Sequence, residues 1–205
     1  MRGYQALGVR QRVRGKAFTD PERTLADVAI MDRMLARLRW QARSWPGGPG
    51  SVELLEQQAG GLRHWLVVPR TSALLAAHQV TAVGFFGDLR PAVDHAAIYQ
   101  LEAEVVGRLP RYAAAGLLAY YDAELDPGVH GNLVLSGAPG VPSQWHRDVV
   151  HARAVAAAPH HYRCIRLHSG LIRGPFLGTG GLAVARTRYF DFRAEPSWQG
   201  LRVMA

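Results

Sequence analysis

Arg166 and His168 stand two residues apart in a stretch, 164–172, that alternates in polarity. Strand geometry puts Ile165, Leu167 and Leu171 on one face, and Arg166 and His168 on the other with Cys164, Gly170 and Ile172. An imidazole titrates near neutral pH and can serve as a general base. A guanidinium on the same face offers a bidentate grip on a carboxylate or enolate oxygen. Asn132 adds a neutral donor for an oxyanion, and Tyr121, or its neighbour Tyr120, adds a hydroxyl or an aromatic wall. His168, Arg166, Asn132 and Tyr121 are therefore the expected catalytic set. The competing expectation is two surface residues on an open sheet, or Arg166 paired with Asp122 or Glu124.

Other chemistries find less support. Nine histidines are present, but His146 and His151 are five apart on a helix, about 140° of rotation, and do not share a face. His160-His161 follows Pro159 and reads as a solvated turn. No metal site is expected from these spacings. Gly178-Thr179-Gly180-Gly181 lacks the helix and lysine of a phosphate loop and reads as a hairpin. No Gly-x-Ser-x-Gly occurs. Cys164 is the single cysteine; a lone strand cysteine is a packing residue before it is a reactive thiol.

The elements that must position these groups follow from periodicity. Residues 1–18 are weakly β-like. Asp20-Pro21-Glu22 starts a helix, and Leu25, Val28, Met31, Leu35, Leu38 and Ala42 form its stripe, with Asp27 and Asp32 outside it. Residues 45–50, rich in Pro and Gly, stop it as a linker. A short helix over 51–58, ended by Gly60-Gly61, a strand over 64–68 and a helix over 71–78 follow. Residues 80–87 read as a strand, 91–108 as a helix, 117–125 and 130–136 as strands joined by a turn at Asp126-Pro127-Gly128. Pro142 and Ser143 open a helix that Pro159 ends, with Trp145, Val149, Ala152 and Ala156 on one stripe. The strand 164–172 comes next, and 182–192 is a further strand.

Composition bounds the rest. The 205 residues are 48% hydrophobic and 20% charged, which suits one soluble domain of ordinary size. No run reaches the roughly 20 apolar residues of a membrane span, and no secretory signal is legible, so a cytoplasmic protein is expected. A net charge of +8 invites a nucleic-acid partner, but the arginines are scattered, and that partner is not the expectation. The one local cluster, Arg10, Arg12, Arg14 and Lys16, alternates with Val9 and Val13 as a charge-protected edge strand does.

From residue 80 to 172 the order is strand, helix, strand, strand, helix, strand. The expectation is an α+β fold: a ferredoxin-like βαββαβ antiparallel sheet with both helices on one face. Residues 1–79 form an N-terminal helical extension, with a degenerate second copy of the unit left open, 80–192 the domain, and 193–205 a tail. The second sheet face, carrying Arg166 and His168, then needs a cover, and a homodimer or the N-terminal segment supplies it.

This order, with Trp145 at the start of the second helix and His151 six residues later, resembles the dimeric α/β-barrel superfamily that includes the antibiotic-biosynthesis monooxygenase-like proteins. The resemblance covers about residues 80–192. It implies a small-molecule enzyme closing an apolar, oxygenated metabolite in a barrel, by cofactor-independent oxygenation or by acid/base isomerisation or cyclisation. It also implies an alternative, a haem protein with His151 (or His146) as axial ligand beside Trp145. The bland reading of His151 is a hydrogen-bonded histidine at the helix–sheet seam. A third possibility is a non-catalytic ligand-binding or assembly module.

Overall fold

A computed structural model describes residues 3–45, 50–57, 63–126, 129–137, 143–193 and 195–204. The expected linker at 46–49, the Gly60-Gly61 stop, the Pro127-Gly128 turn and Pro142 lie outside them.

Among the described residues nine strands make one mixed sheet: β1 Gln5–Leu7, β2 Val52–Gln57, β3 Arg63–Val68, β4 Val80–Leu89, β5 Leu117–Asp126, β6 Val129–Gly137, β7 Tyr162–Ile172, β8 Leu182–Asp191 and β9 Trp198–Val203. Their spatial order is β1-β9-β8-β7-β4-β6-β5-β3-β2. Only β1 and β9 run parallel; every other pair is antiparallel. The helices are α1 Pro21–Ala42, α2 Thr71–Leu75, α3 Ala96–Val106, α4 Ser143–Arg147 and α5 Val149–His161.

This topology corrects the expected ferredoxin-like βαββαβ sheet with a helical extension. Strands β4 to β7 are the middle of a sheet more than twice that width, extended by β8, β9 and β1 on one side and by β3 and β2 on the other. The stretch expected to be a helix over 51–58 is the edge strand β2, paired with β3 from Val52↔Val68 to Gln57↔Arg63. The C-terminal tail contributes β9.

Both faces are covered within the chain. Ile98, Leu101 and Val105 of α3 and Val150 of α5 pack on Tyr120, Val134 and Ile165. On the opposite face, Met31, Met34, Leu35 and Leu38 of α1 pack on Phe86, Tyr121, Leu133 and Leu135. Strand alternation, which sends neighbouring side chains to opposite faces, sorts the two sets. The face expected to need a second subunit or the N-terminal segment is covered by α1, a helix of that segment.

The start of α1 is as expected: Asp20 caps it, accepting from the Glu22 N–H at 3.0 Å, with Pro21 in the first turn. Met31, Leu35, Leu38 and Ala42 of the expected stripe are buried, but its first turns differ. Leu25 is 65% exposed, while Thr24 and Asp27 are buried. The second long helix is also broken, because Asp148 starts α5 afresh. Its carboxylate accepts from the N–H groups of Val150 and His151, from the Tyr112 hydroxyl at 2.5 Å and from Arg108 at 3.1 Å. The Tyr112 bond foremost, with these other donors, holds the carboxyl down at about 2 against the cost of burial. Pro159 lies inside α5, and His161 is a buried residue of its last turn, not a solvated turn.

Candidate functional site

Arg166 and His168 do point away from α3 and α5, but into α1. Arg166 is 1% and His168 0% exposed. Asp27 of α1 receives the Arg166 Nε at 2.6 Å and Nη2 at 3.2 Å, and the His168 Nε2 at 2.9 Å. The His168 Nδ1 meets the Thr187 hydroxyl at 2.9 Å. A neutral imidazole with its proton on Nε2 satisfies both bonds. The third arm of Arg166 reaches Asp88 on β4 at 3.2 Å. Burial pushes the Asp27 carboxyl up, and the bonds from His168 and Arg166 more than reverse it, so it lies below the usual range. Burial opposes the charge on Arg166 too, and Asp27 and Asp88 overcome that and raise it. This is a closed charge network whose polar atoms satisfy one another.

Asn132 is not part of it. It pairs in register with Phe85, whereas Arg166 pairs with Phe86, so the two project to opposite faces. Asn132 meets the Tyr120 hydroxyl at 3.5 Å on the α3 and α5 side. Tyr121 shares the face of His168 but lies across Gly84 and Leu133 in the same row. That is three strand spacings, about 14 Å. Its hydroxyl bonds the Nδ1 of His64 at 2.9 Å, and burial raises it to about 12. The four residues expected to converge are thus distributed over two faces and a wide span.

Trp145 is buried, its ring 5.6 Å from Tyr112, 6.3 Å from Tyr120 and 5.4 Å from His151. Trp145, expected beside a bound macrocycle, is instead 7% exposed and packs on the His151 ring itself, so these residues do not fit haem. Among the described residues no three His, Cys, Asp or Glu side chains are arranged to hold a metal, and no helix is long and apolar enough to cross a membrane.

Two features escaped the reading from sequence. The first is a pocket of about 300 Å3 at the corner where the 3-10 turn Ala17–Thr19, the start of α1, β4, β7 and the end of β8 meet. Phe18, Arg23, Asp88, Arg163, Cys164 and Arg193 line it. Asp88 is its one carboxylate, and it is engaged by Arg166, by the Cys164 thiol at 3.3 Å and by Arg23 at 3.7 Å. Burial and then Asp88 push that thiol up to about 12, so it is a donor, not a nucleophile. Arg193 is held by Asp191, which also binds Lys16. Arg163 is exposed and has no ion pair among the described residues. The only signal was the run of basic residues before α1, of which Lys16 finds its partner, Asp191, 175 residues away.

The second is a polar seam along α3. His95, Tyr99 and Glu102, spaced four and three apart, line one side of the helix. The Tyr99 hydroxyl meets the His130 Nε2 at 3.2 Å. Arg63 binds Glu102 at 2.9 Å and Asp122 at 3.1 Å. Burial and the neighbouring Glu102 push the Asp122 carboxyl well above its ordinary value, against the pull of Arg63. That spacing was legible; its partners were not.

No protein-family model, no curated protein and no solved structure matches the chain. Its function therefore has to be argued from its own geometry.

Proposed function

We propose that the protein binds a small anionic metabolite, carrying a carboxylate or phosphate, in the arginine-lined pocket. The observation that carries this is the charge imbalance there: Arg23, Arg163 and Arg193 against Asp88, which Arg166 already neutralises from behind. Guanidinium groups bind carboxylates and phosphates through paired N–H donors. A volume of about 300 Å3 sits at the lower end of small-molecule sites. The closed Asp27–Arg166–His168 network forms the rigid floor. In this reading those two residues have no catalytic role, because no substrate atom reaches them unless α1 moves. This reading keeps a small-molecule partner but makes it anionic rather than apolar.

Calorimetric titration with inorganic phosphate and simple carboxylates tests the reading. Arg163→Ala removes the pocket cation that has no ion pair among the described residues, and the fold does not depend on it. A lost charge-assisted bond is worth about 1.5–3 kcal/mol, so affinity falls at least about tenfold. Equal binding by the variant, or no binding of any anion by the parent, overturns the proposal.

A further inference from the structure

The arginine corner holds a second cavity of about 400 Å3, which shares Ala17 and Arg193 with the first. Arg12, Gly15, Lys16 and Asp20 also line it. Arg193 is the partition. Its guanidinium lies over the Phe18 ring at 5.5 Å, bonds both oxygens of Asp191, and reaches the Gly15 carbonyl at 3.1 Å. The far side is cationic as well. Lys16 and Arg193 share the single carboxylate of Asp191. Arg12 pairs with Asp20 at 3.1 Å through a side chain that is 64% exposed, and such exposed pairs contribute little and exchange readily. Across both cavities five cations, Arg12, Lys16, Arg23, Arg163 and Arg193, face four carboxylates: Asp20, Asp88, Asp191 and Glu22, which lies 3.3 Å from Arg12.

Resting on the reading that the first cavity takes an anion, we infer that the two cavities form one site for an elongated dianion. One acidic group lies between Arg23 and Arg163, the other between Arg12 and Lys16, and the connecting segment passes Arg193. The chemical class is a small metabolite with phosphate or carboxylate groups at both ends. Joining two groups that each bind weakly makes the second contact intramolecular and raises affinity without new contacts.

The test compares inorganic phosphate, hexamethylene bisphosphate and suberate by calorimetry on the full chain and on Arg12→Ala and Arg163→Ala. Phosphate binds the first cavity, and one or both of the long dianions binds at least about tenfold tighter. Which of the two does so names the acidic group. Arg12→Ala returns the long dianion to the affinity of phosphate and leaves phosphate binding unchanged, whereas Arg163→Ala weakens both. If phosphate binds and neither dianion binds more tightly, or if Arg12→Ala changes nothing, the two-headed site is wrong while the anion pocket stands. If no anion binds at all, both readings fall together.

Discussion

Asp27 and Asp122 are both buried carboxyls beside an arginine, yet their environments drive them in opposite directions. Asp27 is held ionised by three donor bonds, from Arg166 twice and from His168. Asp122 is pushed the other way by burial and by Glu102, which shares its arginine. Asp27→Asn leaves the buried Arg166 guanidinium with Asp88 as its remaining counter-charge and takes the acceptor from His168, and breaking a buried pair from one side costs about 3–5 kcal/mol. Asp122→Asn removes a charge that burial and Glu102 already disfavour and costs under about 1 kcal/mol. Urea unfolding of both variants at neutral pH measures the contrast, and equal losses refute the opposite directions of the two shifts. The pH dependence follows from the signs. The Asp27 value is depressed in the folded state, so its stabilisation is complete above the ordinary carboxylate value near 4. It fades as pH falls through the lower folded value, and the gap between parent and Asp27→Asn closes in acid. The Asp122 value is raised, so parent stability falls as pH rises through it, and Asp122→Asn does not follow.

Among the elements, the β7–β8 seam tolerates change least. A register shift falls between Ser169 and Gly170, and a Cβ at Gly170 would stand 2.2 Å from the Ala183 carbonyl oxygen and 2.8 Å from the Val184 Cα. Both are backbone atoms of the paired strand and cannot step aside. Gly84 differs: its added Cβ would meet the Met31 Sδ at 2.5 Å and Cε at 2.7 Å, the end of an adaptable side chain. Gly170→Ala therefore lowers the unfolding midpoint by more than Gly84→Ala, with overpacking costs of about 1–3 kcal/mol or above at the first site. The reverse order would mean that α1 is seated more rigidly than the strand pair.

For the whole molecule, the decisive fact is that α1 belongs to the core. Removing residues 1–79 takes away α1, β2 and β3 and bares Phe86, Tyr121, Leu133 and Leu135 on one face. Such a patch is not tolerated in solution. The truncated chain, 80–205, is expected to be insoluble or to bind hydrophobic dye without a cooperative unfolding transition. A soluble fragment with a sharp transition would show that residues 80–192 fold on their own, as the sequence reading divided them.

The amino-acid sequence by itself determined the local elements: the cap and span of α1, and strands β3 to β8 to within a few residues, because capping, periodicity and β-branching are properties of neighbours along the chain. It misassigned β2, since Glu53, Leu54, Leu55 and Glu56 suit a helix as well as an edge strand. It placed Asp27 on the solvent side, since a carboxylate reads as surface until its partners are known. Those partners, Arg166 and His168, lie about 140 residues away. The arginine corner is built the same way, from Arg23 and, far along the chain, Asp88, Arg163 and Arg193. Which face covers which, and whether a charge is paired or free, depends on long-range approach, and only the tertiary structure decides that.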